Sequence, residues 1–330
     1  MKPRIGLIPG DPSGIGPELI AKLLAEPATR EAADILLIGD RSVFALGQTQ
    51  AGVEFDLTPC DPESDWTDDP AFAFHEMHTI DEDAIQIAEI DAASGRSVLA
   101  TLDRALDLAR DGHIDAVVFG PFNKAAMHAA GLRFEDELHH MADHLGVTGY
   151  VSELNTLDGI WTSRVTSHIP LKAVAETITG TRVEEAVRLI DTTLRRSGLA
   201  RPRIAVAALN PHAGDNGNFG REEIETIRPA VERLAAEQLG VDGPWPSDTV
   251  FLKAKAGALD AVVTMYHDQG QIALKLMGFD RGVTVQGGLP FPVATPAHGT
   301  AFDIAGQGRA DLGATRAAFD IACTMVSHWR

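Results

Sequence analysis

The sequence predicts an α/β protein with a mostly parallel sheet that helices cover on both faces. Two observations carry this prediction. Short apolar runs of the length of buried strands recur along the chain, and segments with a helical periodicity of about 3.6 residues lie between them. Strands that alternate with helices are typical of parallel sheets, so the order of the elements predicts the class.

Each predicted element is a continuous stretch of the sequence. The predicted strands are Arg4 to Ile8, Asp34 to Ile38, Ala116 to Phe119, Trp161 to Val165, Ile204 to Leu209, Ala261 to Met265 and Gly282 to Val285. The predicted helices are Pro17 to Leu24, Gly95 to Arg110, Val183 to Ser197 and Glu222 to Glu237. No internal repeat or low-complexity tract interrupts this order.

The length of the chain bears on its domain organisation. With 330 residues it exceeds one small core, which favours two domains. No linker marks a boundary between them. We predict a first α/β subdomain from residues 1–128 plus 290–330, and a second from residues 129–289.

The composition is that of an acidic globular protein. The chain has 28 Lys and Arg against 47 Asp and Glu, a net charge of -19, so its surface repels nucleic acid and anionic lipid. No stretch reaches about 18 uncharged apolar residues, and no signal peptide is recognisable. Cys60 and Cys323 form no metal-spaced or redox-spaced pair. We expect a cytoplasmic enzyme that binds neither nucleic acid nor membranes.

Histidines follow three of the predicted strands. His168, His212 and His267 each come after a different strand, and ligands of open parallel sheets bind beyond the carboxyl ends of the strands. Neutral imidazole is a common metal ligand, and three of them leave one position open for substrate. Each histidine alone is more simply explained as structural. Together they predict a divalent metal site, which Asp268 and Asp215 could orient.

Two loops are candidates for cofactor binding. The glycines of Gly10 to Gly16 permit close approach of a ligand, but their spacing is not the dinucleotide fingerprint, and a plain strand-to-helix turn explains them equally well. The segment from His298 to Gly306 places small residues around a His and Asp303. It could contact an adenosine or begin a helix in the core, and the residues alone leave both alternatives open.

Further polar side chains are candidates without a decisive pattern. Lys124 and Lys275 could hold an anionic substrate or transfer a proton, although most lysines are only solvated. His140 and His144 are one helical turn apart and could chelate a metal. The zinc-protease pattern requires Glu directly after the first His, where this chain has Met141, so a polar helix face is the simpler interpretation.

Several of these segments, taken in order, resemble the 4-hydroxythreonine-4-phosphate dehydrogenase family of pyridoxine biosynthesis, in the isocitrate and isopropylmalate dehydrogenase-like superfamily. The resemblance covers nearly the whole chain. It rests on Gly10 to Glu18, Gly120 to Lys124, Ser167 to Pro170, Leu209 to Gly214, Met265 to Gly270 and His298 to Ala301. It implies two α/β/α subdomains with an intervening cleft, and a homodimer with the active site near the interface.

The resemblance also implies roles for single residues. It implies a divalent metal (Zn, Mg, Mn or Co) held by His168, His212 and His267, with one of the three coming from the partner subunit, and NAD or NADP as cofactor. The second subdomain then carries the metal ligands and dimer contacts. It also implies substrate contact by Lys275. We further predict catalysis by Lys124 and Asp248, substrate binding also by Thr284, Glu137 and His139, and cofactor binding by Gly287, Leu289, His298, Gly299 and Asp303.

Three substrate positions depart from the family pattern. The family's Gly-His-Thr is replaced by Asp136-Glu137-Leu138, a family Asn by Thr284, and a family Arg by Val293. Loss of an Arg removes a bidentate partner for an anionic group. The departures predict a divergent paralogue with a related substrate.

These observations predict a metal-dependent, NAD(P)-linked oxidation, with decarboxylation, of a small hydroxy acid like 4-phosphohydroxy-L-threonine. Two alternatives use the same scaffold. One is a dehydrogenase of another sugar acid, of the threonate or erythronate type, and the other acts on an aromatic cis-dihydrodiol carboxylate. An alternative of another class is a metal-dependent hydrolase or lyase that needs no nicotinamide.

Overall fold

The computed structural model describes residues 2–64, 66, 72–278 and 280–329. The chain separates into two compact units. The first unit comprises residues 1–149 and 283–330, and the second comprises residues 150–282. Both units consist of mostly parallel strands and of helices, so the predicted α/β class is confirmed. Among the described residues, no helix combines the length and the apolarity needed to cross a bilayer.

The elements follow one another closely along the chain. The strands are β1 (Arg4–Ile8), β2 (Asp34–Gly39), β3 (Leu57–Pro59), β4 (Phe72–Glu76), β5 (Ala116–Phe119), β6 (Ser152–Leu157), β7 (Ile160–Arg164), β8 (Ile204–Ala207), β9 (Val241–Trp245), β10 (Ala261–Thr264), β11 (Val283–Gly287) and β12 (Val293–Pro296). The helices are α1 (Gly16–Ala25), α2 (Pro27–Ala32), α3 (Arg41–Ala51), α4 (Ala92–Arg110), α5 (Lys124–Ala129), α6 (Glu137–His144), α7 (Val174–Thr177), α8 (Gly180–Arg196), α9 (Arg228–Ala236), α10 (Ser247–Lys255), α11 (His267–Met277) and α12 (Gly313–His328). Each predicted strand and helix overlaps an observed element.

The first unit is built on strands in the order β3-β4-β2-β1-β5-β12-β11. Neighbouring strands run parallel except β11, which is antiparallel to β12. The central strands are almost completely buried and mostly apolar, as expected for a sheet that helices cover on both faces. The longest helix of this unit, α4, is capped by the preceding residue, Asp91. The carboxylate of Asp91 accepts hydrogen bonds from the backbone N–H groups of Ala93 and Ser94.

The second unit is built on strands in the order β6-β7-β10-β8-β9. β6 and β7 form an antiparallel hairpin, while β7, β10, β8 and β9 are parallel to their neighbours. Helix α8 packs its buried apolar side chains towards this sheet. Because parallel strands end at a common edge, the loops after β7, β10 and β8 lie side by side.

Candidate functional site

The three histidines of the second unit lie in those three neighbouring loops. His168 comes four residues after the end of β7, His212 five residues after β8, and His267 three residues after β10, as the first residue of α11. The fold therefore places all three at the carboxyl edge of one sheet, where ligands of such sheets bind.

His168 and His267 are neighbours within one chain. Their ring centroids are 5.4 Å apart, and both rings line a surface cavity of about 300 Å³. Nδ1 of His267 donates a hydrogen bond to Oδ1 of Asp268 at 2.7 Å, which fixes the tautomer and leaves Nε2 with its lone pair. This is the arrangement of a metal-binding imidazole whose second nitrogen is oriented by a carboxylate.

His212 does not join this pair within one chain. It is exposed, and its ring lies 6.2 Å from that of Phe219. Within the part of the chain that the structure describes, no group of three or more His, Cys, Asp or Glu side chains is placed to hold a metal ion. One chain therefore supplies two neighbouring imidazoles and a third that is exposed at the same edge.

Two of these histidines have an unusual backbone. His168 has φ 47°, and residues 212–216 have five successive positive φ values, starting with 53° at His212. Left-handed conformations of non-glycine residues are strained, and such strain is concentrated at functional sites. The loops therefore hold both imidazoles in positions that a relaxed chain would not adopt.

A buried carboxylate anchors the His212 loop. Glu223 has no exposed surface and begins the π-helical turn Glu223–Ile227. Its Oε1 accepts hydrogen bonds from the backbone N–H groups of Leu209 and Asn210 at 2.9 and 2.7 Å, and its Oε2 accepts one from the Asn210 side chain at 2.9 Å. The sequence analysis missed Glu223, because only the folded chain places it under the loop.

A side-chain amide connects the ends of β10 and β8. Oε1 of Gln269 accepts a hydrogen bond from the backbone of Met265 at 2.7 Å, and its Nε2 donates one to the carbonyl of Ala208 at 2.8 Å. This bridge fixes the separation of the loops that carry His267 and His212. Gln269 belongs to a segment quoted for the family resemblance, but nothing in the sequence alone indicated its role.

The structure places the two other predicted site residues of this unit at different distances from the histidines. Asp248 is exposed in the first turn of α10, which follows β9 at the same carboxyl edge. Lys275 is exposed in the last turn of α11, eight residues after His267 and thus about 12 Å along the helix axis. Asp248 therefore shares the edge of the histidines, and Lys275 lies at the opposite end of α11 from His267.

In the first unit, Lys124, Glu137 and His139 form one polar cluster. Lys124 is the first residue of α5, and its Nζ lies 3.5 Å from Oε2 of the largely buried Glu137. Glu137 begins α6, which Asp136 caps, and His139 binds the same Asp136. The structure thus brings these three predicted residues together beside the carboxyl end of β5.

Thr284 lies on β11 in the first unit. It is buried and stands opposite Thr295 of β12. Thr295 in turn donates a hydrogen bond to the carbonyl of Phe119, the last residue of β5. Thr284 is therefore close to the carboxyl ends of β5 and β12.

The predicted cofactor residues fall into two groups. Gly287 ends β11 and Leu289 follows it, so both lie where β12 begins, because β11 and β12 are antiparallel. His298, Gly299 and the exposed Asp303 follow the other end of β12. The structure does not bring these two groups to the same edge of the sheet.

The segment after β12 packs on the glycine loop after β1. The backbone N–H of Ile15 donates to the carbonyl of Thr300 at 3.1 Å, and a Cβ on Gly14 would lie 2.7 Å from Cβ of Thr300. Gly299 is exposed, with no heavy atom within 4 Å of a Cβ built on it, so a ligand could approach its backbone. Burial lowers the pKa of His298, which favours a neutral imidazole able to donate and accept hydrogen bonds.

The same glycine loop contains a buried carboxyl group. Asp11 is completely buried, and burial raises its pKa to about 6 although the backbone of Ser13 donates to its Oδ1 at 2.8 Å. Its Oδ2 has no hydrogen-bond partner among the described residues. A carboxyl group with this pKa changes its protonation state just below neutral pH. The glycine loop therefore contains a titratable group beneath its closely packed backbone.

Comparison with known proteins shows relatives along the whole chain. Residues 31–322 match the family model of the pyridoxal phosphate biosynthetic protein PdxA. The chain is 56% identical over 329 residues to a Pseudomonas aeruginosa protein with the provisional name 4-hydroxythreonine-4-phosphate dehydrogenase 2, covering 99% of this chain and 98% of that protein. It is 38% identical over 332 residues to a Symbiobacterium thermophilum protein provisionally named D-threonate 4-phosphate dehydrogenase, covering 100% and 98%.

Solved structures agree with these sequence relatives. The chain superposes on the 4-hydroxythreonine-4-phosphate dehydrogenase of Klebsiella pneumoniae with a TM-score of 0.86 and 36% identity, covering 99% of this chain and 98% of that one. It is also similar to the isocitrate dehydrogenase of Methylococcus capsulatus, with a TM-score of 0.52 and 15% identity over 99% and 86%. The second likeness concerns the fold alone.

Proposed function

The chain belongs to the pyridoxal phosphate biosynthetic protein PdxA family, and we propose that it is a metal-dependent, NAD(P)-linked dehydrogenase that oxidises and decarboxylates a small hydroxy acid of the 4-phosphohydroxy-L-threonine type. The observation that carries the proposal is the position of His168, His212 and His267 at one sheet edge. Relatives whose names include this activity match over the full length, which supports the reaction class.

We propose that His168 and His267 of one subunit hold a divalent metal together with the partner's His212. The 5.4 Å separation of the first two rings and the strained loops support this ligand set. The set fits Zn or Co better than Mg or Mn, because imidazole suits borderline ions whereas oxygen ligands suit Mg and Mn. Such an ion supplies Lewis acidity to a hydroxyl or ketone oxygen.

A second copy of the chain is part of the proposal, and exposed apolar surface supports it. Most of the large apolar side chains that are exposed among the described residues lie in the second unit, namely Ile169, Leu171, Phe219, Ile224, Leu252, Ile272 and Leu276. Exposed apolar patches mark protein–protein contacts. Phe219 is adjacent to His212, so a homodimer that covers this surface would meet the metal ligands.

The proposed substrate contacts differ in charge. Lys275 offers a cation for a carboxylate or phosphate group. Thr284 and His139 offer hydrogen bonds, and Glu137 offers an acceptor. We assign these four residues to substrate binding, and we assign proton transfer to Lys124 and Asp248 because both lie in loops or first turns that follow a strand end.

For the cofactor, we propose contacts from His298, Gly299 and Asp303 to the adenosine, and from Gly287 and Leu289 to the rest of the molecule. The open backbone at Gly299 and the neutral, half-buried His298 fit a ligand of this kind. When bound, nicotinamide accepts the hydride of the oxidised carbon. NAD and NADP both remain part of the proposal.

We expect the purified protein to reduce NAD or NADP only when a divalent metal and a phosphorylated four-carbon hydroxy acid are both present. The panel should include 4-phosphohydroxy-L-threonine, D-threonate 4-phosphate, D-erythronate 4-phosphate and a cis-dihydrodiol carboxylate. NADH absorbance follows the oxidation, and released carbon dioxide follows the decarboxylation. A chelator should stop both, because the metal polarises the reacting oxygen. Turnover of an acid without nicotinamide would instead identify a hydrolase or lyase and contradict the proposal.

A further inference from the structure

The first turn of α6 holds an imidazole against a buried carboxylate. Asp136 is 4% exposed and caps the helix. Its Oδ1 accepts a hydrogen bond from the backbone N–H of His139 at 3.0 Å and another from Nδ1 of the same residue at 2.6 Å. Burial alone would raise the pKa of Asp136, but the two hydrogen bonds from His139 and the nearby positive charge, including that of Lys124, together lower the pKa below its usual value. The carboxylate is therefore ionised at neutral pH.

The ring of His139 is oriented by this carboxylate but remains accessible. Its side chain is 48% exposed, and among the residues that the structure describes its Nε2 has no hydrogen-bond partner. The next two histidines of the helix differ in this respect. Nε2 of His140 binds Asp103 at 2.7 Å, and Nε2 of His144 binds Asp107 at 2.9 Å, so both rings attach α6 to α4. Among the described residues, His139 is therefore the one of the three whose Nε2 has no hydrogen-bond partner and can meet a ligand.

The pair of His139 and Asp136 lies near the carboxyl end of a parallel strand, where ligands of such sheets bind. Glu137, two residues before His139, lies 3.5 Å from Nζ of Lys124, and Lys124 begins the helix that follows β5. The first turn of α6 is thus held beside the carboxyl end of a central parallel strand. The positive charge of Lys124 acts on Asp136, and Glu137 pairs with the same Lys124.

We propose that His139 is the base that takes the proton of the substrate hydroxyl, and that Asp136 is the residue that positions it. The proposal rests on the dehydrogenase function proposed above. Oxidation of a secondary hydroxyl breaks a C–H bond, whose hydride goes to the nicotinamide, and an O–H bond, whose proton goes to Nε2 of His139, while the C=O bond forms. A carboxylate on Nδ1 fixes the required tautomer and stabilises the imidazolium that results.

The ammonium group of Lys124 suits the complementary step. Loss of carbon dioxide from a β-keto acid leaves an enolate whose carbon must gain a proton. Lys124 is paired with Glu137 and lies in the same cluster, so it can donate that proton while His139 accepts the first one. In this cluster His139 is thus the base and Lys124 is the acid.

The test compares His139→Ala with the matched variant His140→Ala, using the acid of the panel that the wild-type enzyme oxidises. We expect His139→Ala to lose about 100-fold or more of kcat with little change in KM, and imidazole added to the buffer to restore part of the loss. We expect Asp136→Asn, which keeps the helix cap, to lose about 10-fold of kcat. His140→Ala should retain wild-type kcat.

The outcomes separate this inference from the function on which it rests. A wild-type enzyme that oxidises no acid of the panel overturns the dehydrogenase function itself. An active wild type together with unchanged kcat in His139→Ala, an effect on KM alone, or a loss of kcat that imidazole does not restore overturns the role of His139. Equal losses in His139→Ala and His140→Ala overturn it too, because they would trace the effect to the packing of α6.

Discussion

Replacing His168 with alanine is expected to lower kcat/KM by about three orders of magnitude or more, because the metal site would lose one of its imidazole ligands. His168 is exposed and its ring lies beside that of His267 at the edge of the sheet rather than in the core, so the fold should be retained. The measurement is steady-state NADH formation at saturating metal, combined with the metal content of the purified variant. Both activity and bound metal should fall together.

The control for this variant is His328→Ala. His328 is also exposed and lies at the end of α12 in the first unit, where its Nδ1 binds the carbonyl of Thr324. The His328→Ala variant should bind metal and turn over substrate like the wild type. Normal activity of His168→Ala after treatment with a chelator and readdition of limiting metal would remove His168 from the ligand set.

Replacing Glu223 with alanine is expected to destabilise the protein by about 2 kcal/mol, because two partly buried backbone N–H groups would lose their acceptor. The strained loop of residues 212–216 would then relax, and His212 would move. We expect metal affinity to fall about 10- to 100-fold, the effect typical of losing a residue that orients a ligand. Thermal unfolding measures the first effect, and titration with Zn²⁺ measures the second.

Glu225→Ala is the matched control for Glu223→Ala. Glu225 belongs to the same π-helical turn but is exposed and pairs with Arg221. Its loss should change stability by well under about 1 kcal/mol, since exposed ion pairs contribute little. If Glu223→Ala unfolds at a lower temperature yet binds Zn²⁺ like the wild type, Glu223 supports the fold without positioning His212.

Five of the seven strands that the sequence predicts have a simple pattern. β1, β2, β5, β8 and β10 are buried on both faces, so each consists mostly of consecutive apolar residues. β6 and β9 were missed because Ser152–Leu157 mixes polar and apolar residues and Val241–Trp245 contains Gly and Pro. Helix α12 was missed because much of its buried face is alanine, which gives a weak periodic pattern.

The direction of each strand could not be predicted from the sequence either. The predicted run from Gly282 to Val285 overlaps β11, and nothing in its residues indicates that this strand is antiparallel to β12. A five-residue connection between the two strands permits this hairpin, but β12 itself was not predicted. Because the two strands are antiparallel, Gly287 and His298, which are both predicted to bind the cofactor, lie at opposite ends of β12.

The candidate metal ligands were accessible to prediction because they depend only on strand ends. A histidine that follows a parallel strand lies at the carboxyl edge whatever the details of the loop. The residues that position these histidines depend on tertiary contacts instead. Glu223 accepts a hydrogen bond from a backbone N–H 14 residues earlier in the chain. Gln269, which follows β10, donates one to the carbonyl of Ala208 at the end of the neighbouring β8. Asp136 had a local indication, since Asp before a helix is a common cap, but its bond to His139 requires the folded turn.

The shared metal site is tested most directly by mixing inactive variants. If each site takes His168 and His267 from one subunit and His212 from the other, a hybrid of His168→Ala and His212→Ala subunits has one intact site. Random reassociation of equal amounts should therefore regain about one quarter of wild-type activity, whereas a mixture of His168→Ala and His267→Ala should regain none. No recovery in the first mixture, or equal recovery in both, would contradict a metal held between two copies of the chain.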